Sequence, residues 1–307
     1  MNEQKVLNAL LRENLNAFIR KTFETVSTGD TFSANWHLEA IAYHLMLCEM
    51  GKIRRLLITL PPRSLKSISA SVAFVAWVLG HDPTRKIICA SYASDLAVKH
   101  SFDTRIVMGS AWYQRCFPHA RLNPNKNTQH EFTTMKLGYR LATSVGGTLT
   151  GRGGNLIIVD DPHKSDEVES DIKREAVINW FRNTLVTRLN DKQSDVIIVI
   201  QQRLHEADLA GYLLEAGGWT HLNLPAIAEE DMSILVGPDK YHHRKEGDVL
   251  HPDKEPLESL NQLQEDMGSY AFAAQYQQRP APLGGGMLKW ECFSNLAPRA
   301  WIRNREI

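Results

Sequence analysis

Two hydrophobic periods alternate along the chain, and their order predicts an α/β fold. Near the N-terminus, Leu7, Leu10, Leu11, Leu15, Phe18 and Phe23 recur close to helical spacing with charges between them, predicting one amphipathic helix over Val6–Val26. Asn35 stands as an N-cap before a second such run, Trp36–Met50, which Gly51 closes. The pattern then turns β-rich. RRLLITLPP stops at two prolines and gives way to a helix over Lys66–Leu79, KIICAS (86–91) reads as the next strand, and Asp95–Met108 reads as the helix after it. Two short strands follow at Glu131–Thr134 and Tyr139–Thr143. LIIVD (156–160) and VIIVI (196–200) are apolar without alternation, which marks strands buried on both faces. Helices are expected over Asp166–Leu189, capped by Ser165, and over His205–Ala216, with a strand near Trp219–Leu224. This βαβα order predicts a mostly parallel sheet flanked by helices.

Beyond Pro225 the composition changes. Residues Ile227–Pro256 are charged and without period, with the densest basic spot at His242–Lys245; a helix over Leu257–Met267 and a helix-like run to Gln278 lead into RPAPLGGG, a hinge sequence. The expected division is an N-terminal helical lid (1–53), an α/β core (54–225), a linker or lid subdomain (226–286) and a tail (287–307).

With 307 residues and 43% hydrophobic content, the chain can bury one large core and a smaller appendage. Lys plus Arg and Asp plus Glu each number 35, so overall basicity does not drive nucleic-acid binding, and any DNA contact needs a local patch. Cys48, Cys89, Cys116 and Cys292 form no CxxC pair, which argues against structural zinc and suits a reducing cytoplasm. No apolar run is long enough to span a bilayer, so a cytoplasmic protein without a membrane partner is expected.

The candidate chemistry lies at three strand ends. In LPPRSLKS, Lys66 followed by the hydroxyl of Ser67 sits between a strand and a helix N-terminus. There backbone N–H groups of Arg63, Ser64 and Leu65 can cradle phosphates, Lys66 can reach the β and γ groups of ATP, and Ser67 can ligate Mg²⁺. The strict GxxxxGK[ST] pattern is broken at Leu65, which is tolerable if that residue is helical, since only a positive φ excludes it. A proline-terminated strand before a polar helix start is the plain alternative. Downstream, Asp160 can hold the metal's water shell and Asp161 can activate the attacking water, although DDP is also ordinary turn chemistry. Gln201 and Gln202 close a third strand and can report on the γ-phosphate, or be solvated amides. For the transferred phosphoryl charge Arg152, in a glycine-flanked loop, is the first candidate, ahead of Arg63 and Arg203. His37, beside Trp36 upstream of the first strand, is a candidate base-reading residue or a buried helix-start residue.

In order along Asn35–Met287, WHLEAIA, LLITLPPRSLKS, CASYASDLAVKHS, SVGGTLTGRGGN, LIIVDDPHKSDE, QQRLHEADLAGYL and FAAQYQQRPAPLGGGM resemble the large terminase subunit of tailed bacteriophages, in its prophage-type group. The resemblance implies a P-loop ATPase of the additional-strand, catalytic-acid type. Lys66 and Ser67 would take phosphate and magnesium roles, Asp160 and Asp161 the carboxylate roles, His37 a place near the adenine contact, and Arg152 that of a trans-acting arginine. It also implies ATP and Mg²⁺ as cofactors, and double-stranded DNA, a portal protein, a small terminase subunit and a homo-oligomeric ring as partners. Many terminases carry glutamate where this chain has Asp161. The last residues contain no acid cluster, so no nuclease activity is expected from them. Two other readings are a helicase-like remodeller, and a prophage remnant or assembly protein that binds nucleotide without turnover.

Overall fold

The apolar runs form the interior of one eight-stranded sheet in a computed structural model that describes residues 3–281. The strands are β1 (Arg55–Thr59), β2 (Lys86–Ser91), β3 (Leu122–Asn127), β4 (Glu131–Thr134), β5 (Tyr139–Ser144), β6 (Leu156–Asp160), β7 (Val196–Gln201) and β8 (Thr220–Asn223), in the order β3-β4-β5-β2-β6-β7-β1-β8. From β5 to β8 all neighbours are parallel, and β3 and β4 form an antiparallel edge. Thus β7 is inserted between β1 and β6. Registers of Asp160 with Ile200 and Thr59 with Gln201 bring all three strand ends to one edge of the sheet.

Both faces are covered, which is why these strands lack alternation. Leu56, Ile58, Ile158 and Ile198 face one core with α2 (Leu15–Val26), α3 (Trp36–Glu49) and a π-helical segment, Ile68–Phe74. Leu57, Ile157, Val159 and Val199 face the other, with Phe181, Leu185, Leu209 and Leu213.

Several predicted elements differ in extent. The leading helix is two, α1 (Glu3–Glu13) and α2, because the Asn14 side chain accepts from Ala17 N (2.9 Å) and caps a new helix there. The helix after the lysine loop is the π segment followed by α4 (Val75–His81). Past β2 come α5 (Ser94–Gly109) and α6 (Ala111–Cys116). The helix expected from Asp166 starts only at α7 (Asp171–Trp180) and tightens through a π turn, Phe181–Leu185, and a 3₁₀ turn, Val186–Arg188, while residues 164–170 close i→i+3 turns instead. Asp208, whose carboxylate accepts from Gly211 N (2.8 Å), delays the next helix to α8 (Leu209–Ala216).

The aperiodic stretch after Pro225 contains a hairpin, β9 (Met232–Gly237) and β10 (Lys240–Arg244), turning at Asp239 with φ 53°. Its charged residues masked the β signal. The hairpin packs on α3: His242 stacks on Trp36 with centroids 4.1 Å apart, and the Arg244 guanidinium lies 5.6 Å over the same ring. Helices α9 (Leu257–Met267) and α10 (Ser269–Gln275) return the chain to the core, where Gln278 Oε1 accepts from Arg203 N at 3.0 Å. The predicted tail, 287–307, and Cys292 lie outside the described residues, as does most of the RPAPLGGG hinge; Cys48, Cys89 and Cys116 are buried free thiols. Among the described residues no helix is long and apolar enough to cross a membrane.

Candidate active site

The loop after β1 turns through left-handed backbone at two positions that are not glycine. Arg63 (φ 58°) and Leu65 (φ 59°) are both left-handed, so the expectation that Leu65 is helical is corrected. Such a conformation costs a non-glycine residue about 1–2 kcal/mol. Contacts from three other segments hold the loop in it: the His37 ring Nε2 lies 3.3 Å from Ser64 O, Lys254 Nζ donates to Arg63 O at 2.5 Å, and Ser69 donates to Leu65 O through both N and Oγ.

Lys66 and the two aspartates meet at this edge. Lys66 is buried, with Nζ 3.0 Å from Asp161 Oδ2. Asp160 is fully enclosed and accepts from Ser67 Oγ at 3.1 Å on one oxygen and from Ser71 Oγ at 2.7 Å on the other. Asp161, itself left-handed at φ 46°, accepts from Gln202 N at 3.1 Å. Burial raises the pKa of both acids; Ser71, Lys66 and Ser67 counteract it at Asp160, and Lys66 counteracts it at Asp161. Behind them, His100 Nδ1 lies 3.6 Å from Asp160 Oδ2, and burial pushes its pKa down to about 4, so the ring is neutral at pH 7. Arg140 is wholly buried, with Nη2 3.4 Å from Ser71 O and no hydrogen-bond partner for Nε or Nη1. Its charge favours the ionised form of Asp160. One hydroxyl and one carboxylate, converging with oxygen donors only, suit a hard divalent cation that keeps most of its water.

Comparison with solved structures assigns this arrangement to a known fold. The large terminase ATPase domain of a Thermus phage superposes with a TM-score of 0.52 at 11% identity, over 85% of this chain and 98% of that one. This chain has a phage large-terminase ATPase fold. The large terminase of bacteriophage HK97 gives 0.49 at 14% identity, over 87% and 55%, and that of a thermophilic bacteriophage, in complex with ADP, gives 0.46 at 10%, over 78% and 51%. The chain spans about half the length of these two terminases. No protein-family profile matches the sequence, and no curated protein does.

Within this terminase-type fold the remaining candidates separate. Gln202 lines a cavity of about 500 Å³ together with Lys66, Asp161, Pro62 and Lys164, and its buried Oε1 has no partner. Gln201 instead donates to Asp208 Oδ2 (3.2 Å), so it belongs to a structural network. Arg203 belongs to the same network: its Nε lies 3.0 Å from both oxygens of Asp208, and its Nη2 donates to His205 O and Glu206 O. Arg152 is not brought to Lys66 within the chain. It pairs with Glu131 through both terminal nitrogens and lies 5.9 Å over Tyr139. Its loop enters β6 from the strand's N-terminal end, and the strand separates that end from Asp160 by roughly 13 Å.

His37 is placed at the loop, but both ring nitrogens are engaged. Nδ1 lies 2.6 Å from Asn35 Nδ2, which can only donate, so Nε2 carries the proton toward Ser64 O; burial lowers the pKa to about 3 and keeps the ring neutral. Sequence reasoning missed Ser71, His100 and Arg140. Ser71 repeats the hydroxyl of Ser67 four residues on, and Arg140 is a charge inside a strand otherwise apolar at its core, so both left a signal.

Proposed function

We propose that this chain is an ATP hydrolase, the motor domain of a phage DNA-packaging machine. The observation that carries the reading is the meeting of Lys66, Ser67, Asp160 and Asp161 at one sheet edge, on strands flanking the inserted β7. In this reading the loop amides and Lys66 bind the β and γ phosphates, and Ser67 and Asp160 hold Mg²⁺. Held by Ser67 and Asp160, Mg²⁺ would supply charge neutralisation at the phosphate oxygens. Asp161 orients and deprotonates the attacking water. The two roles are linked by the ion pair: when Lys66 turns to phosphate it releases Asp161 Oδ2, freeing the base as substrate arrives. Gln202, hydrogen-bonded through its N–H to Asp161, offers an unpartnered amide oxygen on the same cavity. Double-stranded DNA, a portal, a small terminase subunit and a ring of copies are the proposed partners, and a neighbour's arginine, with Arg152 as first candidate, would complete the charge balance.

Phosphate release from ATP by the purified chain, with and without duplex DNA, tests this reading. Wild-type protein is expected to hydrolyse ATP, and Lys66→Ala to lose at least roughly a hundredfold in rate. A wild type inactive in both conditions, or an unaffected Lys66→Ala, overturns it.

A further inference from the structure

A second cavity, of about 480 Å³, opens at the phosphate loop and shares Lys66 with the one lined by Gln202 and Lys164. Its walls come from three distant parts of the chain: the turn after α2 (Ser27–Ser33), the loop with the start of its helix (Arg63–Ile68), and the segment between the hairpin and α9 (His251 and Lys254). Arg63, Lys66 and Lys254 line it against a single acid, Asp30, so it attracts an anion. Phe23, Leu65 and Ile68 add apolar surface, which a bare phosphate does not need and a flat heterocycle does. The wall is closed where Ser33 Oγ meets His251 Nε2 at 2.9 Å, tying the N-terminal turn to the segment that sends Lys254 to the loop.

His37, which also lines this cavity, cannot serve a ligand here without breaking a contact, since Asn35 and Ser64 occupy both its nitrogens. Ser33 and His251 are bound only to each other through the atoms they present, and that pair can open to a new partner at the cost of one hydrogen bond. We infer that Ser33 and His251 form the nucleoside half of the site, hydrogen-bonding the sugar and base of a nucleoside triphosphate whose phosphates lie on Lys66. This rests on the proposed nucleotide reading of the loop. It makes the segment after the hairpin part of the ligand-binding wall.

Calorimetric titration of ATP and of inorganic tripolyphosphate, each with Mg²⁺, into wild type, Ser33→Ala and His251→Ala separates the possibilities. Each variant is expected to bind ATP roughly three- to tenfold more weakly, the effect of one hydrogen bond, while tripolyphosphate affinity stays within about twofold. Ser33 is half-buried, so its variant remains informative if His251→Ala folds poorly. Unchanged ATP affinity in a folded Ser33→Ala overturns the nucleoside assignment. So does an equal loss for ATP and tripolyphosphate, which would mean that the wall acts only through the loop. Wild-type protein that binds neither ligand overturns the nucleotide reading itself.

Discussion

Lys66 and Asp161 hold each other at 3.0 Å in a buried setting, so any anion entering the loop competes with a carboxylate for the lysine. Asp161→Asn removes that competition together with the base. It is expected to lower turnover by roughly 10²–10⁴ while leaving ATP affinity equal or tighter; steady-state rates beside equilibrium binding check this, and weaker binding contradicts it. Leu65 invites a separate test. At φ 59° a β-branched side chain is strained further, so Leu65→Val should cost about 1–2 kcal/mol of stability in urea denaturation. Leu65→Gly should stay within about 1 kcal/mol of wild type, since relief of strain and the greater freedom of unfolded glycine oppose each other.

Among the elements, α8 controls the end of β7 through Asp208, which caps the helix and also holds Gln201 and Arg203. Gly211 sits in its first turn. Replacing glycine by alanine inside a helix ordinarily stabilises by up to about 1 kcal/mol. Here an added Cβ would stand 1.9 Å from Glu206 O, a backbone atom, so the sign reverses. Gly211→Ala is expected to destabilise by about 1–3 kcal/mol and to lower activity through the displaced Gln202–Asp161 contact; a higher urea midpoint would refute the clash. The strands were legible because two-sided burial imposes unbroken apolarity on β6 and β7. Helix starts were less so, because Asn14, Asp208 and Ser170 are all plausible caps and only packing selects among the candidates. The hairpin β9–β10 escaped notice because its stabilising partner, Trp36, lies about two hundred residues away in sequence.

For the whole molecule, buried histidines set the response to acid. Burial lowers the pKa of His37 to about 3 and those of His100, His163 and His221 to about 4. Unfolded histidine protonates near 6.5 while these folded rings do not, so the stability they contribute is complete above that pH and is lost as pH falls toward 4. Each adds a slope of about 1.4 kcal/mol per pH unit within the window. Asp160 and Asp161 work in the opposite sense: their raised folded pKa means that stability is regained as pH falls through it toward 3.8. Four histidines outweigh two acids between pH 6.5 and 5. Urea midpoints should therefore drop steeply across that range, and a flat profile would show that these rings titrate normally.

By itself the sequence determined the local grammar: which runs are two-faced strands, where a lysine and a hydroxyl follow a strand, and where two acids end another. Those features are written in neighbouring residues, because strand burial and loop chemistry act over a few positions. Only the tertiary structure decided that Gln202 rather than Gln201 faces the cavity, that Arg152 sits at the far end of the sheet on Glu131, and that Leu65 takes a left-handed backbone. Each of these depends on strand order, register or contacts between segments as much as 191 residues apart, such as Lys254 with Arg63. A period along the chain carries no record of which distant partner fills the space beside it.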